Sequence, residues 1–107
     1  MDRKIASLLS LSARAAKLKT GETSAEKLLK NGDAKLVLIP EDASDNTKKK
    51  FVNKCFYYKK PIRIFSSKDE MSACIGKQNR TVYVVICDNF ANRLISLIDD
   101  TSIEVQI

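Results

Sequence analysis

Apolar residues along the first stretch of the chain return at helical intervals. Ile5, Leu8, Leu9, Ser12 and Ala16 fall on one face of a helix over residues 3–16, and Leu11 and Ala15 widen that face. Lys17-Leu18-Lys19-Thr20-Gly21 breaks the period and predicts a short extended segment. Thr23-Ser24-Ala25-Glu26 then has the Thr-x-x-Glu form of a capping box, in which each side chain reaches the other's backbone amide. The helix it opens turns Ala25, Leu28 and Leu29 inward and stops at Asn31-Gly32, a glycine end signal. Lys35-Leu36-Val37-Leu38-Ile39 is an almost unbroken apolar run, as a strand covered on both faces requires.

The second half repeats the alternation. Pro40 ends the strand, and Ser44 is placed to cap a third helix, with Asp45 near the positive end of its dipole. That helix runs to about Tyr58, with Phe51, Val52, Cys55 and Phe56 as its expected inner face. Lys59-Lys60-Pro61 is a turn, and Ile62-Arg63-Ile64-Phe65 is the next strand. Ser67-Lys68-Asp69-Glu70 repeats the capping signature and opens a short helix ending near Gly76. A polar loop, Lys77-Gln78-Asn79-Arg80-Thr81, leads into a strand over residues 82–87. Asp88 or Asn89 caps a final helix carrying Phe90, Ala91, Leu94, Ile95 and Ile98, and the alternation over residues 102–107 reads as an edge strand. Helices and strands in this order predict an α/β protein: a single-domain three-layer α/β/α sandwich over residues 1–107, around a central mixed sheet of about four strands.

Composition narrows what such a domain does. The 107 residues suit one core and leave little room for a deep enzyme cleft. There is no histidine, which removes the commonest general base and the commonest metal ligand together. The three cysteines, Cys55, Cys74 and Cys87, are odd in number and far apart. They suggest neither a disulfide framework nor a thiolate zinc site, so a reducing cytoplasm is the expected setting and Cys87 a small core residue. No apolar run approaches membrane length and no signal-peptide pattern opens the chain, so no membrane partner is expected.

Charge is distributed unevenly. Residues 1–80 hold 18 basic and 9 acidic side chains, whereas residues 81–107 hold Arg93 against Asp88, Asp99, Asp100 and Glu104. A basic body with an acidic tail end suits a polyanionic partner approaching one side, nucleic acid first among them. The turn beginning at Gly21 is the best candidate for contact. A glycine before a helix leaves backbone N–H groups and a positive dipole end facing outward, Ser24 adds a hydroxyl, and Lys27 reaches back from one turn along. The same residues also serve simply to start a helix. Glu41, Asp42 and Asp45 could form a magnesium cluster, but turn and capping roles fit them better. Lys48-Lys49-Lys50 spans half a helix circumference and reads as a solvated surface. No Gly-x-Gly-x-x-Gly or phosphate-binding P-loop is present.

Leu18-Lys19-Thr20-Gly21, Ala34-Lys35-Leu36-Val37-Leu38-Ile39-Pro40-Glu41-Asp42 and the helix starting at Asp45, taken together, resemble the L-seven-Ae superfamily of ribosomal and RNA-binding proteins. The bacterial, ribosomal-protein-like YlxQ-type branch is the nearer match. The resemblance runs from Ile5 to about Ile98 and leaves residues 100–107 outside it. It implies the same three-layer fold and recognition of kink-turns, sharply bent RNA elements with tandem sheared G·A pairs. A Gly-x-Asn-Glu-x-x-Lys motif at the second helix makes the contacts in that superfamily. Here Gly21 and Lys27 match it, and Thr23 and Ser24 stand where Asn and Glu usually do. The departure replaces amide and carboxylate groups by short hydroxyls, so base selectivity is expected to be weaker or its target altered, while the phosphate-binding half is kept. The resemblance further implies contacts from Lys19, from Pro40 and Glu41, and from the loop of Lys77, Gln78, Asn79, Arg80 and Thr81, whose polar and basic make-up favours phosphate over stacking. The expected function is therefore a non-enzymatic RNA-binding protein without cofactor or metal. It is expected to act as a cytoplasmic monomer on kink-turn or ribosomal RNA, with the ribosome as a further partner. A protein–protein adaptor on the same fold is the alternative.

Overall fold

One short strand organises the molecule. All four residues of β2 (Leu36–Ile39) are fully buried, and alternation sends Leu36 and Leu38 into one core and Val37 and Ile39 into another. The computed structural model describes the backbone of residues 1–106 and the side chains of residues 1–100. Around β2 lie α1 (Arg3–Arg14), β1 (Leu18–Thr20), α2 (Glu22–Asn31), α3 (Asp45–Tyr58), β3 (Ile62–Ile64), α4 (Lys68–Ile75), β4 (Tyr83–Val85) and α5 (Asp88–Gln106). The sheet order is β1-β4-β2-β3, with β4 antiparallel to both neighbours and β3 parallel to β2. Helices α1, α4 and α5 cover one face through Ile5, Leu9, Met71, Leu94 and Ile98. Helices α2 and α3 cover the other through Ala25, Leu29, Phe51 and Cys55. The expected α/β/α sandwich with a mixed four-stranded sheet is what forms.

Helix α5 begins at Asp88 with the Cys87 carbonyl accepting from Ala91, so neither Asp88 nor Asn89 is its cap; the other helix ends follow the local signals with one exception. Ser44 and Ser67 accept from the amides of Thr47 and Glu70, capping α3 and α4 as expected. Gly32 and Gly76 close α2 and α4 in the left-handed conformation. The exception is Thr23, which caps nothing. Helix α2 starts two residues earlier with Gly21, at φ 103°, as its N-cap and no side-chain cap bond. The reason is tertiary: the Gly21 N–H donates to the Val82 carbonyl at 3.0 Å, which continues the β1–β4 pairing and fixes the turn there. Glu26, freed from a capping role, pairs with Lys50 of α3 instead.

Three further expectations are corrected. Val52 and Phe56 do not face the core: they are 40% and 87% exposed, while Phe51 and Cys55 are buried. At 100° per residue they sit well off the inward line, and β3, over which they would lean, is the last strand of the sheet. Cys87 is half-exposed rather than core, because β4 ends at Val85 and the Cys87 carbonyl accepts from Ala91 at the start of α5. The edge strand expected over residues 102–107 is replaced by helical backbone through Gln106, since no glycine or proline interrupts α5. Ile107 and the side chains beyond Asp100 lie outside the described residues. Beyond these three, α1 ends at Arg14 and not at residue 16; Leu11 on it and Ala15 and Ala16 after it are exposed, so its buried stripe narrows to Ile5, Leu9 and Ser12.

Candidate nucleic-acid interface

Strand directions bring the expected site residues to one end of the sheet. Strands β1 and β2 finish there and β4 begins there, because β4 runs antiparallel to both. Gly21 follows β1, Pro40 and Glu41 follow β2, and the 77–81 loop precedes β4, so three distant segments meet. Lys19, Thr20, Ser24 and Lys77, with Ala16 and Ile75 beneath, line one open hollow of about 370 Å³. A second hollow, of about 640 Å³, lies across the loop and takes in Asp42, Lys68, Asp69, Gln78 and Asn79. The loop is thus the ridge between two depressions.

Hydrogen bonds hold the ridge at Arg80 and the turn beside it at Glu41 and Asp42. The buried Tyr83 hydroxyl donates to the Arg80 carbonyl at 2.9 Å, pinning the loop from beneath. Burial raises the Tyr83 phenol above its usual range, so it stays protonated and remains a donor. Asn79 takes a left-handed φ of 59°, which its short polar side chain tolerates better than most. Pro40 is buried and sets the bend at the end of β2, while Glu41 is exposed and its N–H donates to the Ser66 carbonyl at 2.9 Å. Asp42 accepts from the Lys68 N–H at 3.0 Å and so ties this turn to the start of α4. Among the described residues no group of three or more His, Cys, Asp or Glu is arranged to hold a metal ion.

The first turn of α2 separates its charges by face. Thr23 and Lys27 are four residues apart and exposed on the outer side, and Ser24 turns toward the hollow. Glu22 and Glu26 turn the other way and both pair with Lys50, Glu22 at 3.4 Å. Lys50 holds the Glu26 carboxyl below its usual range, so both acids stay matched by a cation on α3. The early N–H groups of α2 have no side-chain cap. Lys19, Thr20, Ser24 and Lys77 come together at the hollow beside these donors, whereas Thr23 and Lys27 lie outside its lining. Of the residues expected from the sequence, Lys19, Ser24 and Lys77 share this hollow. Tyr83 and Lys50, which hold the surroundings in place, were not singled out there, and only the isolated tyrosine in an aliphatic strand was a signal.

The chain is similar to proteins that share this arrangement of segments. It is 48% identical over 92 residues to RNA-binding protein YlxQ of Bacillus subtilis (strain 168), covering 86% of this chain and 92% of that one. It is 38% identical over 97 residues to RNA-binding protein YlxQ of Enterococcus faecium, covering 91% and 93%. Among solved structures, a protein with unknown function from Bacillus halodurans C superposes with a TM-score of 0.88 at 39% identity, covering 92% of this chain and 99% of that one. The Giardia lamblia 15.5kD RNA binding protein superposes with a TM-score of 0.75 over 94% of this chain and 92% of its own, and at 18% identity it speaks for the fold alone. No helix among the described residues is long and apolar enough to cross a membrane. The family model of the Ribosomal protein L7Ae/L30e/S12e/Gadd45 family matches residues 3–95, and with relatives this similar over nearly their whole length the chain belongs to that family.

Proposed function

We propose that this chain is an RNA-binding domain that holds a sharply bent, kink-turn-like RNA, ribosomal RNA among its candidates, at the α2 end of the sheet. The observation that carries the reading is the convergence of Lys19, Ser24 and Lys77 on one hollow beside the uncapped start of α2. Relatives named as RNA-binding proteins share this chain almost end to end, which supports the same partner class here. A bent RNA suits the ridge because its two arms bring phosphates to both flanks of the 77–81 loop. Lysines 19, 27 and 77 then act as point charges, and the α2 amides as directed donors. Binding, not bond-breaking, is what such a surface does: it offers donors and cations without a nucleophile–base pair.

The substituted motif sets the expected selectivity. A bidentate side-chain–base pair contributes about 1–3 kcal/mol of discrimination, and single hydroxyls such as Thr23 and Ser24 belong at or below the low end of that range. Phosphate contacts therefore dominate affinity, and salt weakens it steeply. An electrophoretic assay at physiological salt tests the proposal, comparing a kink-turn RNA with a straight duplex of equal length. Tighter binding to the kink-turn is expected; equal binding overturns it. Lys27→Ala should weaken the kink-turn complex and make its salt slope shallower by about 0.9, as one phosphate contact is lost.

A further inference from the structure

The far end of α3 carries chemistry that the α2 site leaves unused. Phe56 is 87% exposed and Tyr57, its neighbour, 77% exposed, which is unusual for two large rings in an otherwise well-covered chain. Tyr58 meets the Tyr57 ring edge-on, with centroids 4.9 Å apart, so Tyr57 is held by a partner on its own helix and not by a second layer of structure. Lys59 and Lys60 follow directly, Lys59 in the left-handed conformation that ends the helix. Lys49 lies two turns back on the flank that carries Phe56. None of the described ion pairs involves Lys49, Lys59 or Lys60. Residues 46–68 contain eight lysines and arginines and no acidic residue, and of these Lys50 and Arg63 are paired with acids of other elements.

From these observations we infer that the C-terminal end of α3 is a second RNA contact, taking unpaired nucleotides. Exposed rings offer faces on which successive bases stack, and flanking lysines neutralise the phosphates between them. Duplex RNA does not fit, since its bases are already stacked against one another. A two-fold pairing of this face with itself does not fit either, because it would set Lys49, Lys59 and Lys60 against their own like charges. Charge complementarity therefore selects a single strand. The inference rests on the RNA-binding reading above for its partner class, but it uses a different surface. The 14 residues of α3 put about 20 Å of helix between the end near Pro40 and this patch. Unpaired RNA flanking a folded element would reach it along the side of the molecule.

Fluorescence anisotropy with two RNAs tests this: an oligouridine of about ten nucleotides, and a kink-turn without single-stranded tails. The double variant Phe56→Ala/Tyr57→Ala removes exposed rings only, so the fold is expected to survive, and circular dichroism checks it. Oligouridine binding is expected to fall about tenfold or more, with kink-turn binding unchanged. Lys59→Gln/Lys60→Gln should make the oligouridine salt slope shallower by about 1.4, at about 0.7 per contact on a single strand. If the double variant binds oligouridine as well as the parent, or the parent binds none, the inference is overturned. It is also overturned if sedimentation shows a parent dimer that the double variant dissolves, since a second copy then covers the rings. Loss of oligouridine binding in a protein that ignores kink-turns would sustain this inference while removing the function proposed above.

Discussion

The two ends of the α2–α3 layer meet solvent in opposite ways. At the α2 start, acidic side chains are drawn aside by Lys50, hydroxyls and amides point outward, and no large apolar group is exposed. At the α3 end, two aromatic rings stand in solvent among lysines, with no acid in residues 46–68. Both ends are basic, but one offers directed hydrogen-bond donors and the other offers stacking faces. Net charge alone would make them equivalent. The difference lies in which neutral groups accompany the charge, and it is the basis on which folded RNA is proposed for one end and unpaired RNA for the other.

The largest perturbation removes both ends together. Leu38 is fully buried in the strand between the two helical layers, so Leu38→Ala should cost about 2–5 kcal/mol, seen as a lower urea midpoint. Loss of one end alone would show that the ends do not depend on a common core. Tyr83→Phe is narrower. It removes the hydroxyl bond to the Arg80 carbonyl, costs about 1 kcal/mol, and should speed amide exchange in the 77–81 loop while leaving residues 56–60 unchanged. Kink-turn binding should weaken a few-fold, as the ridge loses its anchor.

A stabilising change sharpens the same contrast. Ala16 has a left-handed φ of 59° just past α1, where the amides of residues 16 and 17 bond back to Ala13 and Ser12. This position suits glycine, so Ala16→Gly should raise stability by about 0.5–1 kcal/mol in thermal melts. Ala16 lines the hollow with Lys19 and Ser24, so any effect on RNA binding should appear with kink-turn RNA and not with oligouridine.

Acidification should have the smallest effect. Glu26 and Asp99 are held below the usual carboxylate range by Lys50 and Arg63. Their stabilisation is therefore present above the ordinary carboxylate values of 4.5 and 3.8, and is lost as pH falls through the lowered native ones. Both carboxyls are solvent-screened, so the change is slight. Melting temperature measured from pH 7 down to about 3 should fall a little less for Lys50→Gln than for the parent, which still has the Glu26 pair to lose.

Much of this was legible in the chain, and the failures have a common cause. The unbroken apolar run at Leu36, Val37, Leu38 and Ile39 marked the central strand, because burial on both faces leaves no polar alternation. Ser44, Ser67, Gly32 and Gly76 marked helix ends, because those bonds are local. Thr23 misled, since the start of α2 is set by a bond to Val82, sixty-one residues from Gly21. Phe56 misled because the width of a buried helix face depends on what lies beyond it, and β3 is the edge strand of the sheet. In the candidate site the cations and hydroxyls were readable as residue types at a turn. Their meeting around one hollow was not, because it depends on antiparallel pairing of β4 with both β1 and β2.

We propose that folded RNA lands on the α2 end. Amide chemical shifts followed during titration with a tail-less kink-turn RNA test it most directly. The largest changes are expected at residues 19–27 and 77–81, with residues 56–60 nearly still. Changes centred on residues 56–60, or spread evenly over the basic surface, would contradict it.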